Sequence, residues 1–147
     1  MSTLRTMRER RPAHAASIDA ASIDAASIDF AAGDLRHVRS FVAARAHEAG
    51  LGRQRTDELT VAVHELAANS IDHGGGRGSV RGWVEPDALV IEVSDAGRLA
   101  DPDGAGRTPP SADQHRGRGL WIVRQLADAL HVRRTPQGQT FRVVTQR

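Results

Sequence analysis

The 147-residue chain has no cysteine, no lysine and no tyrosine, and its aromatic side chains are limited to three Phe and two Trp. Without cysteine there are neither disulfides nor thiolate metal centres. Without lysine there is no Walker-type P-loop, which needs that side chain on the β/γ-phosphates. So few aromatics leave no platform for stacking bases, and direct nucleic-acid contact is not expected. No apolar run approaches the ~20 residues of a membrane span. The basic stretch Arg5 to Arg11 is followed by Asp19, Asp24 and Asp29 instead of the apolar core of a signal peptide. A cytoplasmic protein without membrane contact is expected. The missing side chains also account for the pI near 10.7. All 20 basic residues are Arg, the formal charge is only +2, and little titrates between His and Arg to remove it.

What is present suits one domain, since the length is enough for a real core. Hydrophobic residues make up 39% and charged residues 26%, the balance of an ordinary globular chain. Residues 15 to 29 read AASID three times over. A five-residue step turns an α-helix by about 140° net, so Ile18, Ile23 and Ile28 form no stripe. On a strand an odd step alternates them between faces. Residues 1–29 are therefore expected to be a disordered low-complexity tail and residues 30–147 the domain. Ser27 to Phe30 are the stretch able to open the fold as a short edge strand.

From Asp34 the pattern is regular. Asp34 is a candidate N-cap for a helix with Leu35, Val38, Val42, Ala46 and Ala49 on one face, ended by Gly50. A second helix is expected from about Thr56, with Leu59, Ala62, Val63, Leu66 and Ala67 as its apolar stripe. Gly74 to Gly76 end it. Strands follow at about 80–85 and 89–94, joined by Pro86-Asp87, and then a long loop holds Pro102, Pro109 and Pro110. A third helix from about Gly119 and strands at about 131–134 and 139–144 complete the chain. Two helices, two strands, one helix and two strands indicate an α+β two-layer sandwich.

Three segments carry the chemistry: HELAANSIDHG (64–74), DAG (95–97) and RGRGL (116–120). His64-Glu65 does not begin a zinc H-E-x-x-H site, because Ala68 stands where the second His belongs. Gly117 and Gly119 do not make a Rossmann fingerprint, because Ile122 stands at the third glycine position and no strand precedes. Glu65, Asn69 and His73 lie one helical turn apart, off the apolar stripe. Alone they read as a solvated face. Together with the other segments, the Asn69 amide oxygen suits Mg²⁺, a hard cation, and Glu65 suits a general base. Asp95 reads as a strand-end turn residue or as an acceptor for an adenine amino group, with Gly97 allowing close backbone approach. Gly117 and Gly119 punctuate a helix or expose its N-terminal amides to an anion. Arg107, Arg116 and Arg118 supply positive charge where lysine is absent.

In order and spacing these segments resemble the N box and the two glycine boxes of the GHKL ATPase superfamily (gyrase, heat-shock chaperone, histidine kinase, MutL). Within it the chain is most similar to single-domain anti-sigma factors with serine protein kinase activity, over roughly residues 30 to 145. The resemblance implies helices on one face of a mixed, mainly antiparallel sheet and a mobile lid at about 98–114. It implies ATP and Mg²⁺ as cofactors, Glu65 as catalytic base, Asn69 as metal ligand and Asp95 as adenine acceptor. Gly97, Gly117 and Gly119 match box glycines. His73, Arg116, Arg118 and Leu120 fall within the boxes, and Thr140 resembles the threonine after a glycine near the end of that fold. One departure stands out: the first glycine box usually reads D-x-G-x-G, and its second glycine position is Leu99 here. The implied function is an anti-sigma factor that sequesters a sigma factor and phosphorylates a Ser or Thr of an antagonist protein, as a homodimer. The alternatives are an ATP-dependent interaction module without turnover and a detached histidine-kinase-like catalytic domain. The latter lacks a phospho-accepting helical hairpin in the residues before the fold.

Overall fold

The computed structural model describes residues 25–110 and 118–147. In chain order the elements are β1 (Ala26–Ala31), α1 (Leu35–Glu48), α2 (Arg53–His73), β2 (Arg77–Val84) and β3 (Ala88–Asp95). They are followed by α3 (Arg118–Leu126), β4 (Ala129–Thr135) and β5 (Gly138–Gln146). Helix α1 follows its apolar stripe, burying Val38, Val42 and Ala46. Its end is set by Gly50, whose φ of +74° lets the Leu51 amide reach back to the Ala46 carbonyl at 3.0 Å. Helix α2 has its N-cap at Gly52, four residues before the cap expected near Thr56. The early start has a tertiary cause: from the first turn, Arg55 reaches Asp128 and the Gln146 carbonyl.

The five strands lie in the order β1-β2-β3-β5-β4 and every pairing is antiparallel, so the parallel component expected of a mixed sheet is absent among the described residues. The β2–β3 hairpin turns at Pro86-Asp87, where the Glu85 amide meets the Ala88 carbonyl at 2.7 Å. Strand β1 starts at Ala26, inside the third AASID copy, and pairs Ile28 with Val80 and Phe30 with Gly78. The boundary expected at residue 30 therefore moves back into the repeat, because β2 supplies a pairing edge that the repeat does not specify. Phe30 is buried, and a side chain at Gly78 would collide with its ring. The expected tail up to residue 24 lies outside the described residues.

All three helices pack on one face of the sheet. Their stripes meet Val80, Leu89, Ile91, Val93, Phe141 and Val143 in a single core. Alternation along each strand puts Trp83, Val90, Glu92 and Arg142 on the other face. There Arg142 pairs with Glu92 at 2.7 Å, and Trp83 lies beneath the guanidinium groups of Arg81 and Arg142. No described helix long and apolar enough to cross a membrane is present.

Candidate functional site

Asp95 is the last residue of β3, on the helix-bearing face, beneath the C-terminal end of α2. Its carboxylate is surrounded by donors. Ser70 Oγ reaches Oδ2 at 2.6 Å, while the Gly97 amide and Gln139 Nε2 reach Oδ1 at 2.8 and 2.9 Å. Glycine makes this proximity possible. A Cβ on Gly74 would lie 2.4 Å from the Asp95 carboxyl carbon, and one on Gly138 would lie 2.0 Å from the Asp95 carbonyl oxygen. Helix α2 must therefore end in glycine for its last turn to sit over the strand end. A carboxylate offers about four lone-pair sites, so roughly one remains for a ligand N–H.

One and two turns back along α2, Asn69 and Glu65 face the start of α3. A Cβ on Gly119 would sit 3.1 Å from Asn69 Nδ2 and 3.2 Å from Glu65 Oε2. The glycine lets the first described turn of α3 approach this pair, and a helix N-terminus carries a partial positive charge. Neither side chain makes a hydrogen bond to the described residues. Among the described residues, that leaves an acceptor carboxylate and an amide oxygen without a hydrogen bond beside the start of α3. Among the described residues no three His, Asp or Glu side chains gather into a metal cage. An amide oxygen without a cage fits Mg²⁺, which keeps waters and substrate phosphates and takes few protein ligands.

Asn69, His73, Asp95 and Leu120 line one cleft of about 110 Å³ with Arg98, Leu99, Gln139 and Phe141. It is small against the ~300–1,000 Å³ of most small-molecule sites. The segment after β3 narrows it. Leu99 packs against the core, and a Cβ on Gly106 would touch the Leu120 backbone. Arg124 Nε reaches the Ala105 carbonyl at 2.6 Å. Burial, and then the like charge of Arg107, lower the Arg124 guanidinium from its usual value, while Asp103 opposes the shift. The expected lid is thus docked over 98–107, while 111–114 lie outside the described residues. A wider depression of about 560 Å³ touches the opposite side of Asp95, between Asp29, Asp34, Arg77 and Ser94. It holds neither Asn69 nor Leu120, which the narrower cleft does, so the narrower cleft is the candidate site.

Of the expected site residues, Asn69 and Leu120 line this cleft together with Asp95; Glu65 and Gly119 lie beside Asn69, and Gly97 lies beside Asp95. His73 lines the wall, and Arg118 is exposed at the first position of α3. Arg116 and Gly117 lie outside the described residues. Thr140 does not join them. It points to the opposite sheet face, where its hydroxyl meets Ser94 Oγ at 2.9 Å. Strand alternation gives the helix-side position to its neighbour Gln139, which was missed although Phe141 and Val143 on the same parity mark that face. Ser70 was missed too, although it continues the buried stripe at four residues from Leu66.

The family model of the histidine kinase-like ATPase domain matches residues 28–145. The chain belongs to that family. A comparison with curated proteins gives no significant match. Histidine kinase-like ATPase domains bind ATP, usually with Mg²⁺. The match begins within β1 and ends in β5, so it takes in both ends of the cleft.

Proposed function

We propose that this histidine kinase-like ATPase domain is an ATP-dependent serine/threonine protein kinase acting as an anti-sigma factor. It would hold a sigma factor and, by phosphorylating an antagonist protein, release that antagonist and leave the sigma factor captured. The observation that carries the kinase reading is the pair of open acceptors, Glu65 and Asn69, one turn apart against the N-terminal end of α3. The anti-sigma part rests on the sequence resemblance. Asp95 would accept a hydrogen bond from the adenine amino group, and the α3 amides with the neighbouring Arg side chains would face the phosphates. Glu65 accepts the proton of the substrate hydroxyl as its oxygen bonds to the γ-phosphorus. The bond from that phosphorus to the β–γ bridging oxygen breaks, and ADP leaves with the electron pair. Mg²⁺, held by Asn69 and the phosphates, would offset the charge developing on the phosphoryl oxygens.

A second reading is favoured by one observation. Leu99 replaces a glycine of the usual D-x-G-x-G box, and its backbone is held at both its N–H and its carbonyl. A stiffer lid suits a module that uses ATP to set its shape and does not turn it over. Two experiments separate these readings. Calorimetry with ATP, with and without Mg²⁺, tests binding in wild type and Asp95→Asn. Transfer of label from γ-labelled ATP to small antagonist-type proteins carrying an acceptor Ser or Thr tests turnover. Binding without transfer would leave the interaction module standing, and no binding would remove both.

A further inference from the structure

Asp95, Gln139 and Arg134 stand in one row across three strands. Asp95 opposes Gln139 between β3 and β5, and Arg134 opposes Gln139 between β4 and β5. Directly opposed residues share a face, so all three side chains lie on the helix-bearing side, at one end of the sheet. Gln139 is buried, at 5% exposure, and its amide is engaged at both atoms. Nε2 donates to Asp95 Oδ1 at 2.9 Å, and Oε1 accepts the Leu99 amide at 2.9 Å. The partners dictate this orientation, because a carboxylate takes only a donor and a backbone N–H only an acceptor. Arg134 Nη2 donates to the carbonyl of the same Leu99 at 2.8 Å and to that of Ala100 at 3.2 Å. The β4–β5 hairpin thus grips residue 99 by its N–H and its C=O.

We propose that Gln139 is a positioning residue that couples nucleotide recognition at Asp95 to docking of segment 98–107. The proposal rests on the reading of the cleft as an ATP site. A base N–H on the free lone pair of Asp95 fixes the carboxylate, the carboxylate fixes the amide of Gln139, and the amide fixes Leu99. The coupling is reciprocal. Whatever factor the nucleotide adds to docking of the segment, docking adds to nucleotide affinity. Length and bifunctionality are both required. Met spans the distance without a donor or a strong acceptor, and a single hydroxyl on Cβ is too short for both partners.

The test uses the full chain with ADP alone as the probe. Affinity is read by calorimetry, and docking by hydrogen exchange of the Leu99 amide and by tryptic cleavage after Arg98 and Arg107. In wild type, ADP should slow exchange and cleavage by about tenfold, the size expected for one coupled hydrogen bond. Gln139→Met should show fast exchange with or without ADP and an affinity lower by about the same factor. Gln139→Glu gives a readout that a merely structural role would not move. At about pH 8 its carboxylate faces Asp95 and repels it, and near about pH 5.5 its protonated form again offers one donor and one acceptor. Its affinity relative to wild type at the same pH should therefore recover on acidification, even if Gln139→Met does not fold. Arg134→Met should loosen the segment with a smaller loss of ADP. Equal ADP protection in Gln139→Met and wild type, or no pH-dependent recovery in Gln139→Glu, would overturn the coupling. Absence of ADP binding in wild type would instead overturn the ATP reading, and the coupling with it.

Discussion

The two ends of the cleft are built on opposite principles. At the Asp95 end all but about one of the acceptor sites are filled before any ligand arrives. The carboxylate has three donors, and glycines 74, 97 and 138 let the surrounding backbone close on it. At the Glu65 end the carboxylate and the Asn69 amide have no described hydrogen bonds and face a helix end across the width of one methyl group. The first arrangement fixes a geometry in advance, which favours discrimination, because a misfitting ligand leaves buried groups unpaired. On the proposed reading, the second keeps its acceptors for the ligand, the cation and the transferring proton, so that recognition is prebuilt and chemistry is assembled on binding.

If that division holds, substitutions at the two ends should have different signatures. The largest effect belongs to the open end. Glu65→Ala should lower label transfer from γ-labelled ATP by ~10²–10⁴-fold, as expected for loss of a general base, with nucleotide affinity nearly unchanged in calorimetry. Transfer retained in that variant would remove Glu65 from the base role. Asp95→Asn, at the closed end, turns an acceptor partly into a donor and should weaken ATP binding on the order of 10²-fold. Gly74→Ala drives a methyl into the Asp95 carboxyl group and should destabilise the fold by ~1–3 kcal/mol, read in urea denaturation, with nucleotide binding falling alongside. Asn69→Ala should erase the increment that Mg²⁺ adds to ATP affinity and leave metal-free binding as it was. The smallest effect is expected at Thr140, on the far face. Thr140→Val should lose the Ser94 hydrogen bond, about 1 kcal/mol of stability, and leave nucleotide affinity unchanged.

The open end was legible in the sequence because it depends on local spacing. Glu65 and Asn69 are one turn apart on one helix, and Gly119 opens the next, so helical geometry alone sets their faces. The closed end was half legible. Asp95 and Gly97 are neighbours in sequence, but Gln139 reaches them through the β3–β5 register, which pairing sets and local composition does not. The same holds for element ends. The start of α2 was misplaced because Thr56 and Asp57 look like a cap, while the helix begins where Arg55 finds partners 73 and 91 residues away. Thr140 enters the expected site only through the resemblance, as the threonine after a glycine near the end of that fold. Parity along β5 decides otherwise.

The ring of Phe30 over Gly78 also settles which copy of a repeated word is read. Through Asp29 the three AASID units are interchangeable, so β2 has no means within them of telling one from another. Residue 30 is the first that differs. Sliding β1 back by one copy would keep every Ser, Ile and Asp in place but set Ala25 where the phenyl ring belongs, leaving a hole costing ~3–5 kcal/mol. Phe30 works as a stop mark at the end of a periodic tape. Units can be added or lost upstream of it while the sheet goes on indexing from the same position.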